Sequence, residues 1–201
     1  MIYRYLKYVT EKEGYFNIFG EKFVEKNKDN IELNINGIKN NLINKYHLKK
    51  GENEVKMKIK NKITLSYMFY GCNKLKNIDE LKYLKTKYCI NFKYMFYECS
   101  SLQDIKALEK WNMSNGKNIE GMFHGCSKLS DIEKIENWNV SNVNNFEYMF
   151  CGCSSLSDIK VLEKWNVTNG KKFSSMFKGC SSLSNFKVLE KWNVPKSLLI
   201  N

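Results

Sequence analysis

Apolar residues in this chain keep two different rhythms. From about residue 64 onward they return every 27 residues. Met68 and Phe69, Met95 and Phe96, Met122 and Phe123, Met149 and Phe150, and Met176 and Phe177 mark the beat. Cys72, Cys99, Cys126, Cys153 and Cys180 follow at one fixed offset, and Leu75, Leu102, Leu129, Leu156 and Leu183 at another. Trp111, Trp138, Trp165 and Trp192 close four of the five units. A strict period of this length is the signature of stacked units that cannot bury their apolar faces alone. The segment through each Met-Phe pair, such as residues 145–150, places apolar residues at i, i+3 and i+4, which predicts a short helix. The following Leu-x-x-Ile predicts a short strand, parallel to its equivalents because every unit runs the same way. The fold class expected is therefore an α/β repeat solenoid, with short parallel strands on one face and short helices on the other.

Finer positions follow from the same register. Gly71, Gly125, Gly152 and Gly179 fall after the predicted helix, where a left-handed cap suits glycine; Glu98 takes that place in the second unit. Asn112, Asn139, Asn166 and Asn193 are expected to bond turn backbone between units. Before residue 64 the rhythm shortens to alternation. Residues 15–19, 31–35 and 55–59 predict half-buried strands, Asn36-Gly37 predicts a turn, and residues 19–27 a short helix. The expected organisation is a strand-rich segment over residues 1–63 that caps the first unit, then five 27-residue units over residues 64–201. Ile200 aligns with Phe173, so the chain's end is expected to close the last unit.

The unit reads Met-Phe-x-Gly-Cys-Ser-Ser-Leu, then Trp-Asn, with Asn139-Val140-Ser141-Asn142-Val143 the fullest version of the second motif. Over residues 64–201 it resembles the BspA-like leucine-rich repeats of bacterial surface and protist proteins. That resemblance implies a right-handed leucine-rich-repeat coil used for protein interaction or adhesion. Many such proteins are secreted or anchored. The sequence as given starts without an apolar signal core, so a cytoplasmic place is expected, or an extracellular one if the chain is a fragment of a surface protein. The alternatives to a protein-interaction module are a surface adhesin or glycan binder, and a regulatory array within a larger protein.

Charge changes this picture little. The net charge is +12, but Arg4 is the one arginine among 33 basic residues, and the excess is spread along the chain. Phosphate recognition favours guanidinium forks and a clustered patch, so nucleic acid is not the expected partner. No stretch is long and apolar enough to span a bilayer. Seven cysteines, an odd number, argue against a complete disulfide framework.

Candidate chemistry sits where the columns vary. The positions between ladder residues on the predicted strand side, Lys106, Ala107, Glu133, Lys134, Lys160, Val161, Lys187 and Val188, are the expected partner contacts. Asp104, Asp131 and Asp158 form a column that suits a cation or a basic partner, weighed against simple bonding to turn backbone. Tyr70, Tyr97, His124, Cys151 and Lys178 form another. There His124 and Cys151 are neighbours, and a Cys–His pair is one way to activate a nucleophile. No third orienting group accompanies them. The expectation is a non-enzymatic protein with no cofactor and no metal, binding a protein partner, its oligomeric state open.

Overall fold

The structure is a computed structural model that describes residues 2–60 and 63–201. Residues 1, 61 and 62 of the predicted cap lie outside the described residues. Alternation makes the first part of the chain a pair of antiparallel sheets. Strands β1 (Ile2–Thr10), β2 (Gly14–Asn17), β3 (Ile31–Ile35), β4 (Ile38–Asn40), β5 (Lys45–Leu48) and β6 (Gly51–Ile59) are joined by helix α1 (Glu21–Asn27). One sheet has the order β1-β6-β3-β4, and β2 pairs with β5 in the other. β6 is central, with Thr10 opposite Gly51 on one side and Ile35 opposite Val55 on the other. Leu6, Tyr8, Leu33, Ile35, Val55 and Met57 point inward, and Phe19 and Phe23 pack in the same core. The buried Tyr8 hydroxyl donates to the Ile18 carbonyl at 2.7 Å, satisfying its one polar atom. The tight β3–β4 connection falls on Asn36 and Gly37, both with positive φ (51° and 87°), as a two-residue hairpin of primed type needs.

After Ile59 regular structure is sparse. The expected α/β leucine-rich-repeat solenoid, with parallel strands on one face and helices on the other, is not what forms. The sheets are antiparallel and confined to residues 2–59, and the described residues beyond hold isolated bridges, 3-10 turns and one short helix, α2 (Lys196–Ile200). The terms solenoid and leucine-rich repeat are therefore withdrawn in favour of a β-rich domain with few helices. Of the predicted parallel strands, one isolated bridge forms among the described residues, Asp104 to Asp131. The segments taken for strands lead into 3-10 turns at Asp79–Tyr83, Lys106–Leu108, Glu133–Ile135, Lys160–Lys164 and Lys187–Trp192. The segment taken for a helix carries parallel bridges, Asn91 to Asn118 to Asn145 to Lys172.

The reason lies in where alternate amides point. Met95, Met122, Met149 and Met176 donate back three residues, as a tight turn does, at 3.1–3.2 Å. The next amide in each case donates outward, Phe96 to the Met122 carbonyl, Phe123 to Met149 and Phe150 to Met176, each at 2.9 Å. A helix spends every amide on its own turn; here every second one goes to the following unit. Left-handed residues make the alternation possible. One stands immediately before each methionine (Tyr67, Tyr94, Gly121, Tyr148, Ser175; φ 54–62°) and one three after it, where Glu98 adopts φ 57° in place of glycine. Those amides hold equivalent side chains face to face. Phe69, Phe96, Phe123, Phe150 and Phe177 stack at 5.4–5.7 Å between ring centres.

Buried polar atoms are matched in the same direction. The thiols of Cys99, Cys126, Cys153 and Cys180 each donate to a phenylalanine carbonyl 30 residues earlier, at 3.1 Å. Trp111, Trp138 and Trp165 donate Nε1–H to Leu81, Leu108 and Ile135 carbonyls at 2.8–3.0 Å. Trp192 Nε1 is buried and has no partner among the described residues. The asparagine column departs from expectation. Asn112, Asn139 and Asn166 accept from amides two residues on in their own unit. The bonds between units come from Asn115, Asn142 and Asn169 instead, at 2.7–2.8 Å.

Both ends of this region meet other chain segments. Gly20 donates to the Met68 carbonyl at 3.0 Å, Phe19 stacks on Phe69, and Asn27 bonds Thr64 in both directions. At the other end Ser175 and Phe177 donate to the Leu198 and Leu199 carbonyls. Leu199 is the buried residue there and Ile200 only half-buried, one position off the expected alignment.

Candidate functional site

The 3-10 turns place the expected contact residues on one exposed surface. Each turn follows an inward isoleucine (Ile105, Ile132, Ile159) and contains the next buried ladder residue, Leu108, Ile135 or Leu162. Lys106, Glu133, Lys160 and Lys187 are exposed, and Lys134, Val161 and Val188 half-buried. Ala107 is buried and drops out of the surface. Two adjoining grooves run along it. One, of about 480 Å³, is lined by Asp131, Glu133, Asp158, Lys160 and Val161 among others. The second, of about 660 Å³, takes Asp158 and Lys160 again with Lys187, Val188 and Lys191. Lys106 lines neither groove.

Charges on this surface are partly matched. Lys164 pairs with Glu136 at 2.8 Å and Lys191 with Glu163. The hydrogen bond from Lys191 holds the Glu163 carboxyl below the usual range. Among the described residues no ion pair within 4.0 Å engages Lys160 or Lys187, although the Lys160 charge also helps hold Glu163 down.

The aspartate column is a turn device. Oδ1 of Asp104, Asp131 and Asp158 accepts the amide of Lys106, Glu133 and Lys160 in turn, at 2.7–3.1 Å. Asn185 Oδ1 accepts the Lys187 amide in the same way. Among the described residues no three His, Cys, Asp or Glu side chains gather as a metal would need.

The structure brings His124 beside Tyr97 rather than onto Cys151. The rings stack at 4.5 Å, and Tyr97 lies on Tyr70 at the same distance. Among the described residues no hydrogen bond joins His124 to Cys151; His124 Nδ1 is buried, unbonded, and 3.7 Å from Glu98 Oε1. Burial pushes the His124 ring down, with Glu98 opposing. Burial pushes the Cys151 thiol up, Lys178 opposing and Glu98 adding. That is the reverse of an activated thiol. The ladder thiols are raised further by burial, Cys180 to about 12.

Two features escaped the sequence reading. Glu120, with 12% of its side chain exposed, gathers Lys93, Tyr94 and Asn145 at 2.5–3.1 Å. Its signal was an acidic residue two before Met122 where the preceding unit has Lys93. The second is a groove of about 350 Å³ between the end of β1 and the first three units, rimmed by Lys12, Lys74, Lys76 and Lys128. Lys74 and Lys128 hold a place that is serine in the other units, Ser101, Ser155 and Ser182.

Fold and surface together define a β-rich protein with an exposed, charge-varied face over a buried, laddered core. The chain belongs to the family described as Mycoplasma protein of unknown function, DUF285, whose model matches residues 40–134 and again residues 90–199. No curated protein and no solved structure matches it. Among the described residues no helix is long and apolar enough to cross a membrane.

Proposed function

We propose that the protein is a non-catalytic protein–protein interaction module that takes its partner along the 3-10 turns. The observation that supports this reading is the pair of adjoining grooves that share Asp158 and Lys160, with Lys160 and Lys187 projecting unpaired beside half-buried Val161 and Val188. Apolar patches ringed by free charge are what partner recognition uses. The backbone beneath is held by bonds between units, so exposed residues vary without cost to the core. Residues 1–63 serve as the cover of the first unit, a reading supported by the Gly20, Phe19 and Asn27 contacts. A catalytic reading has less to stand on, because the ladder thiols are buried and bonded and Cys151 is raised.

The test is capture of a partner from the source organism, followed by Lys160→Glu with Lys187→Glu. Both side chains are exposed, so binding is expected to weaken at least tenfold while the melting temperature holds. Unchanged affinity for the captured partner overturns the assignment of this face.

A further inference from the structure

We infer that the groove between the end of β1 and the first three units binds an extended acidic segment of a partner protein, an inference that rests on the interaction-module reading and adds a second contact surface to it. Lys12, Lys74, Lys76 and Lys128 rim the groove, and all four are exposed. One carboxylate stands among them: Glu11, 89% exposed and 4.0 Å from Lys76. Among the described residues Lys12, Lys74 and Lys128 have no ion-pair partner within reach. Four ammonium groups against one loosely held carboxylate leave a local positive excess that an anionic ligand would neutralise.

Spacing favours a linear ligand. Lys74 and Lys128 are equivalent residues two units apart, with Ser101 between them. Units stacked at strand-like spacing set those positions roughly 10 Å apart. A single small anion meets one end of that row; carboxylates on one face of an extended chain, recurring every second residue at about 3.3 Å per residue, reach along all of it. The floor adds a second preference. Val9 is 40% exposed and Phe16 half-buried, and they offer apolar contact between the charges. Thr10 is not free to join, since its hydroxyl donates to the Lys49 carbonyl at 2.7 Å. Alternating acidic and apolar side chains fit such a groove. A polynucleotide fits it less well, because the rim has no guanidinium fork.

The test uses the full chain and a fluorescein-labelled peptide of alternating glutamate and leucine, followed by anisotropy at low ionic strength. Lys74→Ser with Lys128→Ser installs the residue found at the equivalent places, so folding is expected to survive, checked by circular dichroism. Lys110→Ser with Lys171→Ser removes the same charge elsewhere. The groove pair is expected to weaken binding roughly tenfold, two exposed ion pairs of up to about 1 kcal/mol each, and the control pair less than twofold. Equal weakening by both pairs, no binding by the unaltered protein, or stronger competition from oligothymidylate or inorganic phosphate than from unlabelled peptide each overturns the inference. Those outcomes leave the Lys160 and Lys187 experiment standing, since it reads a different surface with a captured partner.

Discussion

Trp138→Phe and Trp192→Phe remove the same atoms from equivalent positions, yet they should differ in cost. Both rings are buried, at 3% and 7% exposure. The lost indole volume costs each variant a similar amount, on the order of 1–2 kcal/mol. Trp138 also gives up the Nε1–H bond to the Leu108 carbonyl at 2.9 Å, worth about 1 kcal/mol net. Trp192 gives up nothing of that kind, because its Nε1 is buried with no acceptor among the described residues. Removing an unsatisfied donor returns a desolvation penalty of roughly 1–3 kcal/mol. The two variants should therefore be separated by roughly 2 kcal/mol or more, with Trp138→Phe the less stable. Urea unfolding followed by far-ultraviolet circular dichroism measures both midpoints. Replacing each tryptophan by its benzothienyl isostere removes the donor alone and should keep the ordering while shrinking the common loss. Equal destabilisation, or a greater loss at Trp192, would refute the role given to the indole bonds.

Other outcomes follow from the thiols, the buried carboxylate and the left-handed positions. In native protein at neutral pH, iodoacetamide should modify Cys151 well before Cys126 or Cys153, detected by peptide mass; equal rates would contradict the buried ladder. Cys180 moves from 9.0 to about 12 on folding, so its contribution is whole below pH 9 and lost as pH rises toward 12. The other ladder thiols shift the same way, so stability should fall steeply in that window, and Cys180→Ala should blunt the fall. Burial pushes the Glu120 carboxyl up, but the bonds from Lys93 and Tyr94 prevail and hold it below the ordinary 4.5. Its contribution is therefore present above that value and lost as pH falls through the folded one. Glu120→Gln should cost on the order of 1–3 kcal/mol at pH 7 and flatten the acid limb of the stability curve. Gly152→Ala places a Cβ 3.4 Å from the Gly125 backbone at φ +74° and should cost about 1–2 kcal/mol by thermal unfolding.

The period in the sequence placed the core residues well. The Met, Phe, Cys, Leu and Trp columns are all buried, and β3 and the Asn36-Gly37 turn fall where the pattern put them, while β6 starts four residues earlier and α1 two residues later than expected. What periodicity could not give was secondary structure within the unit. Apolar residues at i, i+3 and i+4 arise equally from a helix and from successive tight turns whose alternate amides point outward. The difference rests on left-handed residues such as Tyr94 and Tyr148, and tyrosine carries no sequence mark of that conformation. The resemblance to leucine-rich repeats led the same way, toward strands at Leu-x-x-Ile, which instead lead into 3-10 turns. β1 is absent from the expected strands, although Leu6, Tyr8 and Thr10 alternate inward between the exposed Lys7 and Val9. The exposed lysines at 160 and 187 were legible as variable positions. The lysine-rimmed groove was not, because it joins residues 9–16 to residues 74–128 across the fold.

The assignment of the 3-10 surface as the partner face meets its most direct test in amide hydrogen exchange, measured on the protein alone and in complex with the partner captured from its source. Exchange is expected to slow over residues 157–164 and 185–191, where the two grooves meet. Slowing confined to the antiparallel sheets of residues 2–59 or to the tyrosine column, with those turns unchanged, would contradict the account.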